Sequence, residues 1–148
     1  MAGAMVLVAK EASAVNCPME RAVYSPVPPG RDTQGWRIEF HPAETDRADS
    51  APLEARVTGP FKGSPVLLRH IRIPGYPREY FVSEGMSKLK TVQTTVYFFT
   101  EGNVRRTLPA NTESAPLYML VPDLGVRLHF GYNIDAPDVM WRLTSCRT

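Results

Sequence analysis

The chain has 148 residues, a formal net charge of +2, 43% hydrophobic residues and 22% charged residues. That composition suits one globular domain with a substantial core and excludes disorder of the whole chain. The small net charge argues against a dedicated nucleic-acid binder, which carries a strongly basic patch, and no apolar run approaches the roughly 18 residues of a membrane helix.

Fourteen prolines are nearly twice the usual share of about 5%. Proline ends helices and stays out of central strands, so the chain should consist of short elements joined by many turns. Residues 1–16 read as a flexible tail or the remnant of an export signal, and residues 17–148 as a single β domain. Val15 to Tyr24 is the first candidate strand, interrupted by Pro18, and Ser25 to Gly35 reads as a long proline-rich loop. From Trp36 the pattern alternates, with Trp36, Ile38 and Phe40 inward and Arg37 and Glu39 outward. His41 to Pro52 has the polar composition of a surface loop, Leu53 to Val57 that of a strand. Val66 to Ile73 is a strong strand in which Leu67, Arg69, Ile71 and Ile73 oppose Leu68, His70 and Arg72, and Arg78 to Val82 is a short one.

The clearest strand is Lys90 to Phe99: Val92, Thr94, Val96 and Phe98 fall on one face, Gln93, Thr95, Tyr97 and Phe99 on the other. β-branched and aromatic residues at this density fit a pleated surface. Glu101-Gly102-Asn103 then supplies the positive-φ positions of a hairpin, with Val104 to Leu108 returning as its partner. Leu117 to Val121 reads as a buried strand and Pro122 to Gly125 as a turn. Val126 to Tyr132 alternates again and reads as a strand with Val126, Leu128, Phe130 and Tyr132 inward. Val139 to Cys146 is the last strand, with Trp141 and Leu143 on one face. Eight or nine short antiparallel strands predict an all-β sandwich or barrel.

Cys17 opens the patterned region and Cys146 nearly closes it. They form either a disulfide stapling the first strand to the last or two unrelated buried thiols. Their bracketing of one domain, with an apolar start and the small-x-small run Ala12-Ser13-Ala14, favours the disulfide and export to an oxidising compartment, the periplasm. No CxxC or Cys/His spacing points to zinc or redox chemistry, so no cofactor or metal is expected.

Candidates for chemistry are few. The chain lacks the GxSxG elbow of a serine hydrolase. His70 and His129 read as two half-exposed strand histidines; on neighbouring strands the pair would titrate at about pH 6–7 or bind a metal, although no third ligand is spaced to help, and either one could serve as a general base. Arg69, His70, Arg72, Lys88, Lys90, Arg105 and Arg106 cluster near the central sheet. On one face they make a cationic surface for an anionic ligand or an acidic protein loop; otherwise they are solvated charges that keep sheet edges from pairing. Arg69, in phase with Leu67 and Ile71, should snorkel at a rim or meet a carboxylate. Glu39 and Glu54 are a possible carboxylate pair for glycoside chemistry, and Tyr76 and Tyr118 the best candidates for an exposed aromatic contact.

Cys17-Pro18 leading to Ala22-Val23-Tyr24, Gly35-Trp36, Leu120 to Gly125 and Met140-Trp141-Arg142-Leu143 before Cys146 carry a resemblance to a group of small, uncharacterised bacterial exported proteins. The resemblance implies export and a terminal cysteine pair, and no activity. At the level of architecture the chain is also similar to periplasmic lysozyme inhibitors, but it lacks their glycine-serine-lysine inhibitory loop, of which Ser83-Glu-Gly85 and Ser87-Lys88 are a distant echo. The expectation is therefore a non-catalytic exported β domain that binds an anionic envelope ligand or protein through the Arg/Lys surface. The alternatives are an inhibitor of a cell-wall hydrolase that inserts residues 83–90, and an enzyme with a histidine base.

Overall fold

The computed structural model describes residues 16–43, 53–72, 78–83, 92–102, 105–107, 109 and 112–148, the side chains of Arg72, Arg105 and Arg106 excepted. In chain order these form β1 (Ala22–Val27), β2 (Arg37–Pro42), β3 (Leu53–Thr58), β4 (Val66–Arg72), β5 (Glu79–Ser83), β6 (Val92–Phe99), β7 (Arg105–Arg106), β8 (Tyr118–Leu120), α1 (Leu124–Tyr132) and β9 (Met140–Cys146), with 3₁₀ turns at Met19–Arg21 and Arg31–Thr33.

All strand neighbours are antiparallel, in the order β5-β4-β3-β2-β1-β9-β8-β6. Pairing of β6 with β5, from Glu79↔Val96 to Ser83↔Val92, closes the sheet into an eight-stranded barrel. The two-residue β7 adds to the end of β6, with Phe98 opposite Arg106. Closure removes the exposed edges that an open sheet would present.

An eight-stranded barrel is just wide enough for side chains to fill, and here aromatic rings fill it. Phe40 packs against Tyr24 (5.8 Å between ring centroids), Phe81 (6.0 Å) and Phe98 (6.3 Å), so rings from four strands meet in the interior. Ile38, Leu53, Val57, Leu68, Met119 and Trp141 complete the core. The inward residues of β2 and β6 are those the alternation predicts: Trp36, Ile38 and Phe40 are buried, as are Val92, Thr94, Val96 and Phe98. Gly102 has the positive φ the hairpin requires (83°).

Cys17 and Cys146 are disulfide-bonded, their Cα atoms 5.6 Å apart. The bond sits where the first and last described segments meet. Ala22 pairs with Cys146 in the β1–β9 ladder, and the backbone N–H of Arg147 donates to the carbonyl of Arg21 (2.9 Å).

Three expectations are corrected. The first strand does not span Val15 to Tyr24: Pro18 makes only an isolated bridge to Ser114, a 3₁₀ turn follows, and the strand starts at Ala22. Ser25 to Val27 is strand instead of loop. Pro26 is tolerated because β1 pairs with β2 only at Val23 and Tyr24, so beyond Tyr24 its missing N–H breaks no ladder on that side.

The third correction is the largest. Val126 to Tyr132 is not a strand but most of α1. Its buried residues are Leu124, Gly125, Leu128 and Gly131, a helical stripe, while Val126 (50% exposed) and Phe130 (71% exposed) face outward. Two of the four stripe residues are glycines, which carry no apolar signal, so alternation dominated the reading. Asn133 ends the helix in the left-handed region (φ 57°), its N–H donating to the carbonyl of His129 (2.8 Å).

A candidate binding face on the outside of the barrel

Because aromatic rings occupy the interior, chemistry available to a ligand must be sought on the outer face. Along β6 that face carries Gln93, Thr95 and Tyr97, whose alternation with buried neighbours fixes their direction. Strand register extends the face sideways. Tyr80 of β5 lies opposite Thr95 and Ile71 of β4 opposite Tyr80; in the next row Val82 lies between Gln93 and Arg69.

The helix makes a wall beside this surface. The hydroxyl of Thr94 donates to the carbonyl of Pro122 (2.5 Å), fastening the segment that leads into α1 to β6. Tyr132, at the other end of α1, shares a hydrogen bond with the hydroxyl of Ser83 on β5. Between wall and sheet lies a groove of about 540 Å³ lined by Tyr80, Gln93, Thr95, Tyr97, Asp123 and Arg127. Its size falls in the roughly 300–1,000 Å³ range of small-ligand sites. Asp123 and Arg127 stand one helical turn apart, the N–H of Arg127 donating to the carbonyl of Asp123 (2.8 Å). Asp123 holds the left-handed conformation (φ 62°), uncommon outside glycine but most accessible to Asn and Asp. Both residues are exposed, and Arg127 has no ion-pair partner among the described residues.

The candidate residues separate on this framework. Arg69 and His70 are consecutive in β4 and point to opposite faces. Arg69 is half-buried on the outer face. Glu54 lies opposite it in the ladder but is engaged by Arg56 (Nε to Oε1 2.9 Å), so Arg69 carries its charge without an ion-pair partner among the described residues. His70 is inside the barrel, 6% exposed. Its Nε2 lies 3.2 Å from Oε1 of Glu79, a contact without hydrogen-bond directionality, and its ring meets the edge of Phe81. The backbone of Arg72 lies opposite Glu79, and Arg105 and Arg106 opposite Phe99 and Phe98. Lys88, Lys90, Tyr76 and most of the candidate inhibitory loop fall outside the described residues; Ser83, where that loop begins, is buried.

The expectation of two half-exposed strand histidines is corrected. His70 is enclosed, and His129 lies on α1, exposed, with Nδ1 2.7 Å from Oδ1 of Asp135. They are not on neighbouring strands. Glu39 and Glu54 do share the outer face of the adjacent strands β2 and β3, but each carboxylate is already engaged: Glu39 by the imidazole of His41 (3.4 Å) and the guanidinium of Arg37 (3.9 Å), Glu54 by Arg56. His41 sits in this ladder with its pKa lowered, first by burial and then by the charges of Arg147 and Arg56, against the opposing pull of Glu39. Tyr118 is half-buried in β8, opposite Phe99 and Arg142. Among the described residues no three His, Cys, Asp or Glu side chains converge on a metal-sized site.

Arg127, Asp123 and Tyr80 were not singled out by sequence reasoning. The alternation of Gln93, Thr95 and Tyr97 was visible, but their joining to Tyr80 and to a helix depends on strand order and on α1.

No helix among the described residues is long and apolar enough to cross a membrane. No protein-family model matches this chain, and no curated protein and no solved structure is significantly similar to it.

Proposed function

We propose that this domain is a non-catalytic binding module of an oxidising envelope compartment, which holds an anionic ligand or partner on the outer face of β4–β6. The observation that carries the reading is the placement of Arg69 and Arg127. Arg127, on the helical wall, lines the polar groove with Gln93, and Arg69 of β4 lies in the same outward row of the sheet as Gln93, across Val82. Two strand spacings, about 10 Å, separate the backbone of Arg69 from that of Gln93, within reach of a long guanidinium side chain. Guanidinium groups without ion-pair partners bind carboxylates and phosphates through directed N–H donors at little desolvation cost.

The Cys17–Cys146 bond supports the compartment, since such bonds persist outside reducing cytosol. A non-catalytic role is supported by His70, which is sealed inside the barrel away from any ligand on the outer face.

The test is titration of the folded protein with soluble anionic polymers at low and physiological salt, for the wild type and for Arg69→Glu/Arg127→Glu. The expected result is saturable, salt-sensitive binding that the double charge reversal abolishes with the thermal midpoint preserved. Equal binding by both proteins, or none by either, sinks the proposal.

A further inference from the structure

Resting on the reading of this face as an anion-binding surface, we infer that its ligand is an acidic saccharide, a sugar chain carrying isolated carboxylates such as a uronate oligomer. The groove is not built for a dense polyanion. Such ligands draw clustered cations, and here one guanidinium, Arg127, stands a single helical turn from a carboxylate, Asp123. The two formal charges cancel, so the groove itself offers one attachment for a negative group and one strong acceptor for a hydroxyl.

The rest of the lining is neutral and polar. Gln93 presents two N–H donors and a carbonyl, Thr95 a hydroxyl, and Tyr80 and Tyr97 phenolic hydroxyls on half-buried rings. Tyr80 stands across from Thr95 on the next strand, while Tyr97 is two residues further along β6. One aromatic ring therefore flanks the middle of the row Gln93-Thr95-Tyr97, whose members are spaced at about 7 Å along the strand, and the other ends it. A tyrosine ring has an apolar body and a polar tip, which matches a sugar ring with its C–H face and equatorial hydroxyls. A peptide carboxylate would use Arg127 and leave most of these groups idle. An acidic saccharide uses them all: carboxylate to Arg127, hydroxyls to Asp123, Gln93 and Thr95, ring faces to the tyrosines. From Gln93 the outward row of the sheet continues across Val82 to Arg69, the direction in which the next acidic sugar of a chain would meet a second guanidinium.

The experiment is calorimetric titration of the full chain with three probes of matched length: tetragalacturonate, neutral cellotetraose and tetraglutamate. Tetragalacturonate is expected to bind at least about tenfold more tightly than either of the others, a factor equal to about 1.4 kcal/mol. Tyr97→Ala should weaken it by about tenfold or more, Tyr97→Phe should retain most of the affinity, and Arg127→Gln should reduce tetragalacturonate to the level of the neutral probe. Far-UV circular dichroism of each variant confirms that it is folded. Tetraglutamate binding as tightly as the uronate, with Tyr97→Ala without effect, overturns the saccharide and leaves anion binding intact. Cellotetraose binding as tightly, with Arg127→Gln without effect, overturns the acidic requirement. Binding of no probe overturns this inference, while anion binding itself is decided by the Arg69→Glu/Arg127→Glu comparison.

Discussion

Asp138, in the loop before β9, accepts a 2.7 Å hydrogen bond from the backbone N–H of Gly125 in the first turn of α1. The helix is thus capped from across the fold by a residue that follows it in sequence. Its own N-cap residue, Asp123, makes no side-chain cap. The bond satisfies one of the amides that a helix N-terminus leaves open and places a carboxylate at the positive end of its dipole.

Asp138→Ala should therefore cost about 1 kcal/mol and lower the thermal midpoint by about 3 °C for a chain of this size. Gly125→Ala should be worse, at about 2–3 kcal/mol, because its Cβ would collide with the carbonyl oxygen of Ala136 and crowd the Asp138 carboxylate. Thermal melts of the two variants check both. An unchanged midpoint in Gly125→Ala would mean that α1 does not dock as described.

Gly59 makes a second close approach. A Cβ there would lie 2.5–2.7 Å from the indole carbons of Trp36, itself 5% exposed and packed on Phe61 at 5.6 Å. Gly59→Ala should force the indole out of place and cost about 1–3 kcal/mol. Tryptophan fluorescence reports it directly, as a red shift from exposure of Trp36 with the Trp141 contribution unchanged. A wild-type spectrum with wild-type stability would refute the contact.

Tyr24 supplies a pH prediction. Its hydroxyl donates to the carbonyl of Pro116 (2.7 Å) in the buried interior, and burial pushes its pKa above the usual phenol range. The unfolded chain releases this proton near pH 10 and the folded one retains it, so the folded state binds more protons at alkaline pH. The contribution to stability is complete below about pH 10 and lost as pH rises through the folded value. Denaturant midpoints should fall steadily above pH 10. Tyr24→Phe should flatten that decline while costing about 1–3 kcal/mol at neutral pH for the acceptor left buried. An identical alkaline slope in the variant would exclude Tyr24 as its source.

How much of this was legible in the chain differs element by element. The β2 and β6 faces were, because Ile38, Phe40, Val96 and Phe98 alternate with polar or half-exposed residues and strand burial has a period of two. The Cys17–Cys146 pair was legible from its position. The helix was not: its buried stripe includes Gly125 and Gly131, its exposed face includes Val126 and Phe130, and its cap is Asp138, 13 residues after the Gly125 amide that it satisfies. The phase of β4 was readable but its inward side was not, since His70 and Leu67 invert the usual polarity: the histidine is enclosed and the leucine is 47% exposed. The candidate face was missed for a different reason. Gln93, Thr95, Tyr80 and Arg127 become neighbours only through strand order and a helix crossing, neither of which local pattern specifies.

His41 gives a second titration, at the acid end. Its side chain is only 16% exposed, and burial, Arg147 and Arg56 together lower its pKa from the ordinary 6.5. Below that value the unfolded state takes up the proton more readily than the folded state. The stabilising contribution is therefore present above about pH 6.5 and lost as pH falls through the folded value. In proton NMR titrations His41 should show a midpoint below 6.5, and Arg56→Gln should move it upward by removing a repelling charge. A midpoint that stays put in Arg56→Gln would leave burial and Arg147 as the only causes.

The last prediction concerns the clasp between the ends of the barrel. Cys17 and Cys146 are separated by 129 residues, and closing so long a loop restricts the unfolded chain by about 5 kcal/mol in the entropic account of disulfide stabilisation. Native contacts around the bond reinforce it: Arg147 donates its guanidinium to the carbonyls of Phe40 (2.6 Å) and Glu20 (2.7 Å), and Ala115 donates its N–H to the carbonyl of Cys17 (2.8 Å). Cys17→Ser/Cys146→Ser should thus retain the barrel in its far-UV spectrum while losing several kcal/mol in denaturant melts. The wild type should lose a similar amount when melted in reductant, and the variant should be indifferent to reductant. In protein recovered from its own host, both thiols should alkylate only after reduction. Thiols that alkylate freely without it would place the chain in a reducing compartment and remove the support that the bond gives to an envelope role.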